Sequence, residues 1–174
     1  ATMNAKTLAA LRIATRDGLL PIVCDASSCT EGLRHTIESD PSERPMTVID
    51  SVEFAVHHIL PKLPDHTKLE SVAVHLTCSS PRRGINASVA EVAHAVAGRV
   101  LMPENTGCCA LAGERGMLHP ELTESATKAE AADVAAMGAT AHASCNRTCE
   151  LGMTRATGQP YRHVLELLEE LTRP

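Results

Sequence analysis

Aromatic residues are nearly missing from this chain: 174 residues include no tryptophan, one tyrosine and one phenylalanine. Bases and sugars are commonly held by stacking on aromatic rings, so a stacking platform for nucleic acid or carbohydrate is not expected. A basic excess is missing too. The formal net charge is −5 with 9 histidines, and no basic stripe exists to neutralise phosphates, which argues against a nucleic-acid partner. No stretch approaches the ~18 uninterrupted apolar residues of a membrane span. No basic segment followed by an apolar run opens the chain, so no secretory signal is indicated. Neither a GxGxxG fingerprint nor a P-loop is present, and a nucleotide cradle is therefore not expected.

What remains is aliphatic. Hydrophobic residues make up 44% of the chain, enough for one domain-sized core built from Ala, Val, Leu and Ile. Short apolar runs predict strands at Leu19–Val23, Ser71–Leu76, Arg99–Met102 and Ala139–Ala143, and a short Thr47–Ile49 segment runs into the helix opened by Asp50. Helical spacing or capping signals predict helices over Asn4–Asp17, Thr30–Glu38, the segment from Asp50 to Pro61, Asn86–Ala97, Pro120–Met137 and Pro160–Leu171. Asp50 with Glu53, and Ser88 with Glu91, read as capping boxes. Gly18, Gly98 and Gly138 read as helix stops, and the proline-bearing Glu38–Pro45 stretch as a linker. Strands alternating with helices predict an α/β fold: a parallel, Rossmann-like sheet with helices on both faces.

Cysteine is the residue in excess. There are 7, at Cys24, Cys29, Cys78, Cys108, Cys109, Cys145 and Cys149. An odd number cannot close into a complete disulfide set, and without secretory context the thiols are expected to be reduced. The adjacent pair in Asn105-Thr106-Gly107-Cys108-Cys109-Ala110-Leu111-Ala112-Gly113 is poorly suited to packing, since consecutive side chains diverge. Cys24, Cys78, the Cys108–Cys109 loop and Cys145 each follow a predicted strand, and ligands of parallel sheets gather beyond those carboxyl ends. Helix N-termini at the same edge favour thiolate. Several thiolates select zinc or iron–sulfur over magnesium or calcium, and five with two adjacent exceed one tetrahedral zinc, which favours an iron–sulfur cluster. Zinc remains the alternative cofactor. A zinc-stabilised interaction module and a thiol–disulfide oxidoreductase using Cys145 and Cys149 are the rival functions. His75 and His142, on strands near cysteines, are read as hydrogen-bonding or core histidines ahead of ligands, and the His57–His58 pair as surface.

The series Cys78, Cys108–Cys109, Cys145 and Cys149 resembles the cysteine-rich CCG domain of the heterodisulfide reductase B subunit and the anaerobic glycerol-3-phosphate dehydrogenase C subunit. More closely, His75-Leu76-Thr77-Cys78-Ser79-Ser80, Gly107-Cys108-Cys109, Ala112-Gly113-Glu114-Arg115-Gly116, Pro120-Glu121-Leu122 and Arg147-Thr148-Cys149-Glu150-Leu151-Gly152-Met153 resemble the C-terminal part of bacterial FAD-linked D-2-hydroxyacid dehydrogenases, the D-lactate enzymes included.

The resemblance implies a complete cysteine-rich domain over residues 46–174, preceded by the tail of another repeat over residues 1–45 that carries Cys24 and Cys29. It implies a fragment of a longer oxidoreductase in which this part, not itself catalytic, takes electrons from FAD bound upstream. A [4Fe-4S]-type cluster on Cys78, Cys108, Cys109, Cys145 and Cys149 would pass them on, though the cluster can be absent from the isolated fragment. The implied partners are upstream flavin and ferredoxin-like domains of the same chain and a quinone, cytochrome or other acceptor. The implied location is cytoplasmic, including the inner face of the membrane. Three departures stand out. Ala110 replaces the usual glycine after the double cysteine, Cys145 and Cys149 are spaced CxxxC where the pattern has CxxC, and Cys24 and Cys29 are spaced wider still.

Overall fold

A computed structural model describes residues 3–40 and 44–173. In chain order the elements are α1 (Met3–Ala14), β1 (Ile22–Cys24), α2 (Ser27–Glu38), β2 (Val48–Asp50), α3 (Ser51–Phe54), β3 (Leu69–Val74), α4 (Ser80–Arg83), α5 (Asn86–Val96), β4 (Ala97–Leu101), α6 (Arg115–Leu118), α7 (Pro120–Met137), β5 (Ala141–Ser144), α8 (Arg147–Thr157), β6 (Tyr161–His163) and α9 (Val164–Thr172). The fold is α/β, as the alternation predicts. Four strands form a wholly parallel sheet in the order β4-β3-β5-β6, and β1 and β2 form a separate parallel pair.

The main sheet is parallel because each strand-to-strand connection carries at least one helix across it. Alternation along β3 divides the side chains between two faces. Val72 and Val74 join Val89, Val92 and Val96 of α5, Val164, Leu167 and Leu168 of α9, and Val52 and Ala55 in one buried aliphatic cluster. His75, one residue past β3, meets α7 instead, through Glu130. With no large rings available, valines and leucines fill the first face at full burial, each worth about 1.5–3 kcal/mol against exposure.

β2 leads directly into α3 through the expected capping box. Asp50 accepts from the Val52 N–H at 3.1 Å, and the Asp50 N–H donates to Glu53 at 3.4 Å. Pro61 cannot continue an α-helical ladder, and the segment widens to a π turn over Ala55–Ile59 and then tightens to a 3-10 turn over Leu60–Lys62. His57 and His58 there are exposed. The first segment is stitched to the rest, since β1 pairs with β2. Ser27 of α2 also hydrogen-bonds Thr77 at 3.0 Å, and Asn146 donates to Ser28 at 3.1 Å.

Several local expectations need correction. Pro160–Leu171 is not one helix: Tyr161 and His163 are buried with Arg162 between them, an alternation that pairs β6 with β5, and the helix begins only at Val164. Gly98 does not stop a helix; α5 turns into β4 at Ala97, and Gly98 lies within the strand. Ser88 and Glu91 form no capping box, because α5 starts two residues earlier at Asn86. β1 begins at Ile22, leaving Leu19 and Leu20 exposed, and α2 begins at Ser27, so Cys29 lies inside a helix. Gly138 does cap α7 in the left-handed conformation, at φ +58°. Residues 41–43 of the expected linker lie outside the described residues. Among the described residues no helix is long and apolar enough to cross a membrane.

Candidate metal centre

Parallel strands put their carboxyl ends at one edge, and the cysteines follow those ends. Cys78 comes after β3, the Cys108–Cys109 loop after β4, and Cys145 immediately after β5, with Cys149 in the first turn of α8. The loop is held across this rim by α7. Asp133 accepts from the Asn105 N–H at 2.9 Å and from its side-chain amide at 3.0 Å, and Glu130 Oε2 accepts from the Gly107 N–H at 3.4 Å. Cys109 is thereby set against α8, at Gly152. A Cβ at residue 152 would stand 3.1 Å from that of Cys109, so the glycine permits the approach.

The result is a small buried cluster of Cys109, Leu111 and Cys149, with the Cys109 and Cys149 sulfurs 3.3 Å apart and hydrogen-bonded. Beyond Cys109 the loop runs through two left-handed alanines, Ala110 at φ +54° and Ala112 at φ +41°. The Ala110 N–H donates to Cys108 Sγ at 3.4 Å. Cys108 and Cys78 are exposed. Burial first, and the neighbouring Cys108 second, raise the pKa of Cys78.

His75 completes the arrangement. One of its ring nitrogens and the sulfurs of Cys109 and Cys149 all lie within 4.8 Å of one another, and all three residues are buried. Its Nδ1 is 2.7 Å from Glu130 Oε1, in a pair whose side chains are 0% and 2% exposed. Its Nε2 is buried with no hydrogen-bond partner. An unserved buried polar atom costs on the order of 1–3 kcal/mol, so the position calls for an occupant.

The protons are unevenly shared. The bond with Cys149, helped by the Leu111 N–H, lowers Cys109 to about 6, whereas the same bond and then burial raise Cys149. The shared bond thus favours the thiolate on Cys109 over Cys149. Cys145 packs in the aliphatic core rather than in the small cluster, with its sulfur 4.0 Å from Thr77 Oγ1. Burial, then the charge of Asp50, push it up to about 12. It is nevertheless close enough to contribute to raising Cys149. Cys24 is half-buried with its sulfur 3.8 Å from the Ala26 carbonyl, and Cys29 is exposed. Neither belongs to the His75–Cys109–Cys149 group.

No family model matches the chain, and no curated protein matches it. The chemistry of the centre has to be read from its own donors. A buried imidazole and two cysteine sulfurs form a donor set suited to a borderline-soft metal ion. Two thiolates on one tetrahedral ion, each at about 2.3 Å, stand ~3.8 Å apart. The observed 3.3 Å needs only a small separation to reach that bite.

Residues around the centre do different work. His142 stacks on Tyr161 at a centroid distance of 5.3 Å. Arg147 is engaged by Glu150 at 2.8 Å and by Glu166, an ion-pair role. Met153 is fully buried core. Glu130 was not legible as a partner of His75, although one signal existed. Thr123, Thr127, Glu130 and Val134 share the buried side of α7 at helical spacing, and a carboxylate on such a stripe needs a reason to be there.

Proposed function

We propose that this chain is an electron-carrying module of an FAD-linked oxidoreductase of the D-2-hydroxyacid, D-lactate type. It would hold an iron–sulfur cluster on Cys78, Cys108, Cys109, Cys145 and Cys149, accept electrons from the flavin and hand them to a quinone, cytochrome or comparable carrier. The observation that carries this reading is that Cys78, Cys108, Cys109 and Cys149, from three separate segments, follow strand ends of one sheet, with the Cys109 and Cys149 sulfurs in contact. The acidity of Cys109, at about 6, favours the thiolate that a metal needs. When bound, the cluster would supply one-electron chemistry. The chain's own residues supply the thiolates, bury Cys109 and Cys149 from solvent and leave Cys78 and Cys108 at the surface, on the side an electron partner can approach.

Zinc is the second reading, favoured by the short Cys109–Cys149 separation, which suits a single ion. A dithiol oxidoreductase built on Cys145 and Cys149 is disfavoured, since the sulfur in contact with Cys149 is that of Cys109 and Cys145 packs in the aliphatic core. Iron, acid-labile sulfide and EPR after anaerobic reconstitution separate the readings. The electron-carrier account expects iron and sulfide in comparable amounts and an EPR signal on reduction by dithionite. Stoichiometric zinc with no iron uptake and no signal would replace it with the structural one.

A further inference from the structure

We propose that His75 is itself a metal ligand, through Nε2, and that Glu130 is the residue that aims it, making the centre one of mixed nitrogen and sulfur donors. The inference rests on the metal-binding reading of the site and adds to it a ligand that the cysteine pattern does not contain.

The imidazole is wholly buried, and its two nitrogens are treated differently. Nδ1 lies 2.7 Å from the Glu130 carboxylate, which fixes the proton on that nitrogen. Nε2 has no hydrogen-bond partner, and on the neutral ring it is the nitrogen whose lone pair a metal can take. The ligand atoms that converge with the ring are the sulfurs of Cys109 and Cys149, within 4.8 Å. A carboxylate that holds one imidazole nitrogen while the other faces a metal position is a recurrent arrangement, because it sets both the tautomer and the ring orientation.

Glu130 has a second attachment. Its Oε2 accepts from the Gly107 N–H, directly before the two cysteines of the loop. One carboxylate therefore fixes the imidazole on β3's extension and the loop that delivers Cys109. A purely structural ion pair would need Nδ1 and Glu130 alone; it would not require the ring to stand beside two sulfurs with its Nε2 unserved.

The test uses the full chain, anaerobic and metal-free, titrated with cobalt(II) as an optical stand-in for a tetrahedral ion. A parallel sample carrying 15N-histidine is reconstituted with iron and sulfide for pulsed EPR. The expected results are nitrogen hyperfine coupling that changes with the isotope and cobalt binding weakened about 10–100-fold in Glu130→Gln. Binding should be weakened further in His75→Ala, and His75→Cys should regain it with stronger sulfur-to-cobalt absorption. Metal bound with no histidine coupling, and cobalt affinity unchanged in His75→Ala, would overturn the ligand role while leaving the metal-binding reading in place. No uptake of cobalt or iron by the wild-type chain would overturn both. The labelled wild-type protein gives an answer even where a variant fails to fold.

Discussion

Ala110 occupies a backbone conformation that suits glycine. At φ +54° its Cβ crowds the following carbonyl, a cost of roughly 1–2 kcal/mol for an L residue, and it stands directly after the double cysteine, where the resembled pattern has glycine. Ala110→Gly should relieve the strain and, after the greater freedom of glycine in the unfolded chain, raise stability by about 0.5–1 kcal/mol. Urea unfolding of the two proteins measures this directly, and a loss of stability would mean that the loop does not adopt this turn. Residue identity made some of the centre readable: adjacent cysteines between glycines signalled a loop under unusual constraint. Glu130 was unreadable for the opposite reason, because one carboxylate within an alanine-rich helix looks like a solvated side chain until its face is known to be buried.

At the scale of elements, β5 and β6 bury two histidines whose protonation the fold resists. Burial lowers His142 below its ordinary 6.5, and burial followed by the Arg147 charge lowers His163. The unfolded chain then binds more protons than the folded one in the window below 6.5. The stability from keeping both rings neutral is complete above that value and is lost as pH falls through their folded values. Asp50 and Glu150, raised by burial, act with the opposite sign. The thermal midpoint should therefore fall between about pH 7 and about pH 5.5, by about 2–4 °C for each kcal/mol lost. A double variant, His142→Gln with His163→Asn, should flatten the dependence while keeping a side-chain acceptor for the Leu165 N–H. Equal slopes in variant and wild type would remove these histidines from the account. β6 itself was hidden because Tyr161-Arg162-His163 runs without a break into the strong apolar periodicity of α9. Three alternating residues are too short a signal to compete with a following amphipathic helix. The longer signals, such as Pro120 opening α7 and Gly138 closing it, were legible because proline and glycine act locally.

For the whole molecule, the alternation of strands and helices was enough to predict a parallel sheet, but not that Cys24 would end a strand of a separate pair and Cys29 lie inside α2. It was not enough to say which sulfurs meet. Cys109 and Cys149 touch because α7 tethers the loop and Gly152 admits it, while Cys145 turns into the core packed by α5 and α9. Those are long-range packing outcomes that spacing alone does not encode. The central claim, that the rim gathers its sulfurs to hold a metal, is tested most directly by mapping thiol alkylation with mass spectrometry in metal-free and anaerobically reconstituted protein. Cys29, exposed on α2 and outside the converged group, is the internal control. The account predicts that Cys78 and Cys108, exposed in the free chain, lose reactivity on loading while Cys29 keeps its own. Cys78 and Cys108 labelling as fast as Cys29 in both states would contradict it.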